Sequence, residues 1–302
     1  MVWTPNLIIA GVAKCGTTTL HDLLAAHPRV TGGIEKEVRF LMDADDELCP
    51  KVNVRDSGLG AWAGQYDDGG KGDFDIWMDA SPQYQYQHTA LEVIGGLDPQ
   101  PRVLFIVRDP ARRLFSLYQY SRYHQRDMPH VHSFAQYIEE VREPVAPLLA
   151  VQKMMRSAWR DTQYDLMLEE WSRVVPHERL FVTSVEELSQ DRNDLLSRLA
   201  QWLEIAPEPL LDAEIDRSNP TVVTRSKFLR EVGGRVAAAL PENPLIRRIK
   251  TAVREMNSAP VDKNELADNA ELIAQLTAEF APNMARFEDL RATLAWAPPV
   301  SA

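Results

Sequence analysis

Residues 7–20 read LIIAGVAKCGTTTL, an apolar run that ends at a glycine and is followed by a lysine, a second glycine and three threonines. The run Leu7–Ala10 is short and wholly apolar, which is typical of a strand buried on both faces. Leucines then recur at helical spacing until Pro28, a residue that ends helices. This stretch therefore predicts a strand, a glycine-containing loop and a helix.

Similar units follow along the chain. Val103–Val107 is the clearest strand, and Asp109 directly after it is a suitable N-cap for the next helix. Shorter strands are predicted at Ile76–Met78 and at Phe181–Val182. Strands that alternate with helices predict an α/β fold with a mainly parallel central sheet flanked by helices. We expect residues 1–302 to form a single domain.

Composition excludes several classes of protein. The chain is 45% apolar and 25% charged with a net charge of −11, so it lacks the basic field of a general nucleic-acid binder. Its only cysteines, Cys15 and Cys49, imply no disulfide framework and fit a reducing compartment. No apolar run is long enough to span a membrane, and the N-terminus does not resemble a signal peptide. We therefore expect a cytoplasmic protein.

The loop between the first strand and helix is suited to binding an anion. Its glycines let the backbone approach a ligand closely, and the N–H groups at the helix start favour negative charge. Thr17 and Thr18 add hydroxyl donors, and Lys14 adds a mobile positive charge. In nucleotide triphosphatases the lysine directly follows the second glycine, whereas Lys14 comes two residues before Gly16. An ordinary strand-to-helix turn with an exposed lysine is the alternative interpretation.

A second group of positive charges lies further along. Six arginines occur in one short stretch: Arg102, Arg108, Arg112, Arg113, Arg122 and Arg126. Arg108 ends the clearest strand, at the edge where open α/β sheets bind ligands. Arg112, Arg113 and Ser116 have the spacing to share one helix face, and arginine with a hydroxyl suits a phosphate dianion. A solvated helix face, or an internal partner for Arg113, is the structural alternative.

Together these segments resemble the PAPS-dependent sulfotransferases (PAPS is 3'-phosphoadenosine 5'-phosphosulfate), especially their heparan-type carbohydrate and bacterial branches. That family carries Lys-x-Gly-Thr-Thr after its first strand, as at residues 14–18, and Lys-Glu-x-x-Phe, as at residues 36–40. It also carries Arg-Asp-Pro-x-x-Arg-x-x-Ser-x-Tyr, as at residues 108–118. Three motifs in the same order are far more specific than any one alone. The resemblance implies a P-loop-like nucleotide-binding sulfotransferase fold.

The resemblance also implies roles for individual residues. PAPS would be the donor and adenosine 3',5'-bisphosphate the product, without a metal. Lys14 would act on the bridging oxygen and Glu37 as the base, although Glu37 also fits a surface glutamate paired with Lys36 or Arg39. The loop would bind the 5'-phosphosulfate, and Arg108 the 3'-phosphate. The predicted donor-binding residues are Lys14, Cys15, Gly16, Thr17, Thr18, Thr19, Arg108 and Ser116.

The acceptor is less well defined: a hydroxyl or amine, on a carbohydrate or another small molecule. This chain has Ala80 where the family often has lysine, and Arg39 where relatives often carry histidine. The loop at residues 57–73 and several rings are expected to form the acceptor surface, although Trp77 equally suits the core. The rings are Trp62, Trp77, Tyr84 and Tyr86. The sequence leaves open the oligomeric state and whether Arg225 and Lys227 close over the nucleotide.

Two other classes of function remain as alternatives. A P-loop-type kinase or nucleotide hydrolase would turn over ATP with magnesium, but Lys14 is displaced and no acidic metal ligand is obvious at a strand end. A non-catalytic nucleotide-binding protein would bind the bisphosphate tightly without transfer. The histidines show no zinc-type spacing. Cys15 is interpreted as a small loop residue, because no histidine that would activate it as a nucleophile lies nearby in sequence.

Overall fold

The computed structural model describes residues 2–67, 69–125, 128–143, 152–214, 222–224, 258–260 and 264–296. Arg126, Arg225 and Lys227, which were singled out above, lie outside these ranges.

A five-stranded sheet forms the centre of the molecule. Its strands are β1 (Leu7–Gly11), β2 (Val30–Gly32), β3 (Ile76–Asp79), β4 (Arg102–Val107) and β5 (Leu180–Ser184). Their order is β2-β3-β1-β4-β5, and every neighbouring pair is parallel. A separate antiparallel pair joins β6 (Val222–Thr224) to β7 (Ser258–Pro260). The predicted α/β fold with a mainly parallel central sheet is confirmed.

Helices cover both faces of this sheet. They are α1 (Thr17–Ala25), α2 (Val54–Ser57), α3 (His88–Gly96), α4 (Pro110–Gln119), α5 (Phe134–Arg142), α6 (Lys153–Arg156), α7 (Tyr164–Ser172), α8 (Val185–Gln190), α9 (Arg192–Leu203), α10 (Glu208–Leu211), α11 (Asn264–Asp268) and α12 (Ala270–Ala292). Turns of 3-10 helix lie at Leu59–Gln65, Pro82–Tyr86, Arg160–Thr162 and His177–Arg179. A π-helical segment, Tyr120–Gln125, directly follows α4.

The apolar run of β1 is continuous because both of its faces are buried. Leu7 and Ile9 pack in one core layer with leucines of α1 and α9. Ile8 and Ala10 point to the opposite layer, which contains aromatic residues of α7 and α12. All four side chains are fully buried. Such two-sided burial is the reason why strands of parallel sheets lack an apolar–polar alternation.

The stretch at residues 57–73, predicted as a loop, contains more order than its composition indicates. Residues Leu59–Gln65 form a turn of 3-10 helix, and Trp62 within it is fully buried. The Trp62 ring stacks on Phe40 with 5.3 Å between ring centroids. One buried ring holds this segment, and its partner lies too far along the chain for a local pattern to predict the contact.

Parallel pairing brings the functional segments to one edge of the sheet. β1 lies directly beside β4, and the Val12 N–H donates to the Ile106 carbonyl oxygen at 2.9 Å. The loop that follows β1 and the residues that follow β4 therefore leave the sheet side by side. Open α/β sheets bind their ligands at this carboxyl edge.

Candidate active site

The backbone of the loop after β1 presents donors to an anion. Gly16 is the N-cap of α1 and has the left-handed conformation φ 84°, ψ 14°, which favours glycine. No side chain caps α1, so its first N–H groups are left to an external acceptor. The side chain of Thr17 is buried, and those of Thr18 and Thr19 are half-buried at the same helix start. This arrangement fits a phosphate or sulfate group.

Lys14 lies in the middle of this loop with its ammonium group against a ring. The Nζ atom is 4.4 Å from the centroid of the Tyr120 ring. Burial and, to a smaller extent, the positive charge of Arg108 lower the pKa of Lys14 to about 8, against smaller opposing effects of Cys15 and Glu37. Most Lys14 side chains are still charged at pH 7.

Cys15 points away from the edge of the sheet into the core. Its thiol is fully buried and lies 3.7 Å from the Tyr164 hydroxyl. Its N–H donates to the Val12 carbonyl oxygen at 3.1 Å. Burial raises the pKa of the Cys15 thiol to about 11, so the thiolate is scarce at neutral pH. The side chain therefore has the surroundings of a structural loop residue.

Arg108 and Ser116 mark the second segment at the sheet edge. Arg108 follows β4 and is half-buried, and Ser116 is buried on α4. As predicted, Asp109 caps α4: its Oδ1 accepts from the Arg112 N–H at 2.8 Å. Among the described residues, neither the Arg108 guanidinium nor the Ser116 hydroxyl has a hydrogen-bond partner. Both groups remain available to an anion.

The structure does not place Arg112, Arg113 and Ser116 on the one shared surface that the spacing predicted. Arg112 is exposed, whereas Arg113 is fully buried. Arg113 Nε donates to the Ala13 carbonyl oxygen at 3.1 Å, and Nη1 donates to the Thr162 hydroxyl. Arg113 thus has an internal role, but its partners are neutral oxygens and it forms no salt bridge among the described residues.

Glu37 is held by hydrogen bonds to one of its two oxygens. Oε2 accepts from Arg39 Nη2 at 2.6 Å and from Gln83 Nε2 at 2.9 Å, whereas Oε1 lies 3.8 Å from Lys36 Nζ. Burial alone would raise the pKa of Glu37, but the hydrogen bonds from Arg39 and Gln83 outweigh it and leave the pKa below its usual value. Glu37 is therefore a carboxylate at neutral pH. The pairing with Arg39 that was considered as an alternative is present.

Gln83 is a residue that sequence reasoning missed. It lies in the 3-10 turn Pro82–Tyr86 and reaches Glu37 across 46 residues of sequence. The nearby Arg39 has a positive φ of 58°, and its N–H donates to Ser81 Oγ at 2.8 Å. No local spacing predicts either contact, because both depend on how β3 is placed beside β2.

Asp79 corrects one part of the sequence interpretation. It ends β3 beside β1, so an acidic residue does occur at a strand end. Its carboxylate accepts hydrogen bonds from Trp62 at 3.2 Å, Ser81 at 2.6 Å and Tyr84 at 2.9 Å. Asp79 is fully buried, and burial raises its pKa to about 6. Its carboxylate is thus engaged by three internal donors, and among the described residues no cluster of three or more acidic, His or Cys side chains could hold a metal ion.

The same contacts overturn most of the predicted acceptor surface. Trp62 and Tyr84 are fully buried, where their polar atoms are bonded to Asp79, and Trp77 is also buried in the core. Only Tyr86 of the four rings is half-buried. Ala80, at the position where the family often has lysine, is fully buried as well.

Charged groups from three segments converge at the sheet edge. Lys14 interacts electrostatically with Arg108, which follows β4, and with Glu37, which follows β2. A parallel α/β sheet with a lysine-bearing anion loop at its carboxyl edge defines a P-loop-like fold. Among the residues that the structure describes, no helix is both long and apolar enough to cross a membrane.

Comparison with known proteins gives the family. The sulfotransferase domain family matches residues 4–221, and the chain therefore belongs to this family. Human bifunctional heparan sulfate N-deacetylase/N-sulfotransferase 2 is 23% identical over 211 residues, which cover 67% of this chain and 22% of that protein. Human heparan sulfate glucosamine 3-O-sulfotransferase 3B1 is 28% identical over 202 residues, covering 66% of this chain and 46% of that protein.

A solved structure supports the fold independently. The sulfotransferase from Alicyclobacillus acidocaldarius superimposes with a TM-score of 0.63 and 21% identity, and the match covers 96% of each chain. The chain spans about a fifth of the N-deacetylase/N-sulfotransferases and less than half of the 3-O-sulfotransferase that it matches.

Proposed function

We propose that this chain transfers the sulfuryl group of PAPS to a hydroxyl or amine of a carbohydrate or another small molecule. The observation that carries the proposal is the position of the two anion-binding segments. The loop that contains Lys14 and the strand end at Arg108 lie side by side, because β1 and β4 are neighbours in the sheet. One nucleotide with phosphates at its 5' and 3' positions matches two such segments.

The described residues fit the donor at both ends. The uncapped start of α1, with Gly16, Thr17, Thr18 and Thr19, supplies donors for the 5'-phosphate, and Cys15 contributes through the loop backbone. Arg108 and Ser116 supply a guanidinium and a hydroxyl for the 3'-phosphate. Neither of these groups forms a hydrogen bond with another group among the described residues.

The chemistry is an in-line displacement at sulfur. A bond forms between the acceptor oxygen or nitrogen and sulfur while the bond from sulfur to the bridging oxygen breaks. The acceptor proton passes to Glu37, through Oε1, the oxygen that Arg39 and Gln83 leave without a hydrogen bond. The electron pair of the broken bond stays on the 5'-phosphate of adenosine 3',5'-bisphosphate. Lys14 stabilises the negative charge that grows there.

The choice of acceptor rests on the relatives. The matching relatives are sulfotransferases of heparan sulfate by name, which supports a carbohydrate acceptor. Two positions on the acceptor side differ from the family, Ala80 and Arg39, and Arg39 is engaged by Glu37. That residues 1–302 form one domain and that the protein is cytoplasmic stay predictions.

Binding of the bisphosphate product tests the proposal. At 100 times its dissociation constant, adenosine 3',5'-bisphosphate should stabilise the protein by about 2.7 kcal/mol, which corresponds to a melting temperature about 4 °C higher. AMP and magnesium-ATP should give clearly smaller shifts. An ATP shift that equals or exceeds the bisphosphate shift would favour the kinase alternative.

A matched pair of variants assigns the 3'-phosphate contact. Arg108→Ala should remove the preference for the bisphosphate over AMP, whereas Arg112→Ala, which changes an exposed arginine four residues later, should keep it. Incubation of the wild-type protein with labelled PAPS and a panel of amino sugars, neutral sugars and phenols then tests transfer. Tight bisphosphate binding without transfer to any acceptor would support the non-catalytic alternative.

A further inference from the structure

Helix α4 is joined to the lysine loop as well as to the opposite end of the site. Its buried Arg113 donates from Nε to the carbonyl oxygen of Ala13, the residue immediately before Lys14, at 3.1 Å. Ser116, the residue proposed to bind the 3'-phosphate, lies three positions further along the same helix. The backbone of the loop is therefore attached to the helix that carries the second anion site.

A second contact comes from the segment that follows α4. Tyr120 is the first residue of the π-helical segment Tyr120–Gln125, and its ring lies 4.4 Å from Lys14 Nζ. Its hydroxyl accepts from Gln125 Nε2 at 2.5 Å, so the ring is held at both ends. A π-helical turn changes the direction of the following side chains and is frequent at functional sites. Here Tyr120 begins such a segment, and the face of its ring lies against the ammonium group.

An aromatic ring differs from a carboxylate as a partner for this lysine. The face of the ring attracts the cation, but it does not neutralise the charge by forming a salt bridge. All three N–H groups of an ammonium can still donate to an anion. The charged groups that face Lys14 from other segments, Arg108 and Glu37, act from a distance, because no salt bridge to Lys14 occurs among the described residues.

We propose that Tyr120 is a positioning residue for Lys14: its ring holds the ammonium group at the sheet edge while Arg113 holds the loop backbone. The helix that carries Ser116 thereby also sets the position of the lysine at the other end of the donor. This inference rests on the role proposed above for Lys14.

Chemical labelling of Lys14 in the donor-free protein tests the contact. Trace acetylation with acetic anhydride at pH 7, quantified by mass spectrometry relative to the exposed Lys51, measures how much of Lys14 is the neutral amine. Tyr120→Phe retains an aromatic face and should label like the wild type. Tyr120→Leu keeps the burial but loses the attraction, so Lys14 should label about 3-fold to 10-fold faster. If the leucine variant does not fold, Tyr120→Met provides the same comparison.

The control is Tyr123, which lies in the same π-helical segment and whose hydroxyl bonds to Glu265 and not to Lys14. Tyr123→Leu should leave Lys14 labelling unchanged. The proposal is wrong if Tyr120→Leu labels Lys14 no faster than the wild type. It is also wrong if Tyr120→Phe behaves like Tyr120→Leu, or if Tyr123→Leu has the same effect.

A parallel titration separates this inference from the proposed function. Adenosine 3',5'-bisphosphate is titrated into wild-type protein by calorimetry and should also protect Lys14 from acetylation. If the wild type does not bind the bisphosphate, the proposed function fails whatever the labelling shows. If it binds and protects Lys14 but labelling is the same in all Tyr120 variants, only the positioning role fails.

Discussion

Lys14 and Glu37 carry opposite charges in surroundings that act on them differently. Burial lowers the pKa of Lys14 to about 8, and no hydrogen bond to a carboxylate among the described residues opposes that effect. Burial would raise the pKa of Glu37, but hydrogen bonds from Arg39 and Gln83 reverse it. Both side chains are therefore ionised at neutral pH, which is the state that the proposed transfer requires.

Removal of the Lys14 charge tests its role in catalysis. Lys14→Ala should reduce transfer from labelled PAPS about 100-fold to 1000-fold, the usual effect of deleting one group that stabilises transition-state charge. The melting temperature should change little. Lys51→Ala, at an exposed loop position, is the control and should retain full activity. Near-normal turnover of the Lys14 variant would exclude it from the mechanism.

The pKa of Glu37 predicts a particular dependence of rate on pH. Because the pKa lies below its usual value, the base should stay ionised, and the rate flat, as the pH falls to the ordinary range of glutamate. Arg39→Gln removes a positive charge from the carboxylate, so the pKa should rise and the acidic limb should move to higher pH. Rates from pH 4 to pH 8 measure this shift.

Two further variants complete that experiment. Glu37→Gln should lower turnover more than donor affinity and should abolish the acidic limb. Arg55→Gln removes an arginine that bonds to Thr89, away from Glu37, and should leave the limb where it is in the wild type. An acidic limb that does not move in Arg39→Gln would mean that the base lies elsewhere.

Among the elements, α4 carries residues that concern both ends of the proposed donor site. It begins at the carboxyl end of β4 because Asp109 caps it, and Asp109 Oδ2 also accepts from Thr277 Oγ1 of α12 at 3.2 Å. The same helix carries Ser116 toward the site and Arg113 toward the lysine loop. Its starting point therefore affects both ends of the proposed donor site.

Loss of the cap of α4 should be measurable in stability and in binding. Asp109→Ala should lower the free energy of unfolding in urea by about 1 kcal/mol, and Asp109→Asn should restore most of it. Ser133→Ala removes the corresponding cap of α5. In the wild type, Ser133 Oγ accepts a hydrogen bond from the Gln136 N–H at 3.1 Å. Both alanine variants should lose similar stability, but only Asp109→Ala should weaken bisphosphate binding. Equal effects on binding would contradict the link between α4 and the site.

At the level of the elements, sequence reasoning succeeded where the signal was local. β1, β3, β4 and β5 lie on the predicted apolar runs. β2 was missed because Val30–Gly32 has one apolar residue besides glycine, and it exists as a strand through its pairing with β3. The burial of Trp62, within the predicted loop at residues 57–73, was also missed, because it depends on contacts with residues distant in sequence.

Across the whole molecule, α12 attaches the end of the described chain to the sheet. Arg291 on α12 is buried and donates from Nε to the Val182 carbonyl oxygen at 3.1 Å. Its Nη2 donates to Glu187 Oε2 at 2.6 Å, and Arg198 of α9 contacts the other oxygen of that carboxylate. The carboxylate of Glu187, whose side chain is 12% exposed, thus connects α12, α8 and α9 around β5.

This ion-pair network should contribute more to the free energy of unfolding than an exposed ion pair does. Arg291→Met should lower the free energy of unfolding by about 3 kcal/mol, since it removes the buried guanidinium from this ion pair and leaves the half-buried Glu187 carboxylate short of one partner. Glu288→Gln removes the half-exposed carboxylate 3.5 Å from Arg291 and should change the stability by less than about 0.5 kcal/mol. Urea unfolding of both variants gives the comparison. Equal losses would mean that burial does not strengthen this network.

The sequence alone determined four of the five strands of the central sheet, the glycine-bearing loop, the capped helix after β4 and the order of the three motifs, because each of these depends on residues close together in the chain. Only the tertiary structure decided that Gln83 contacts Glu37, that Arg113 supports the lysine loop and that Trp62 and Tyr84 are bonded to Asp79. The first two contacts join residues 46 and 100 positions apart. Local spacing carries no information about such pairs, since the pairing of strands in the sheet brings them together.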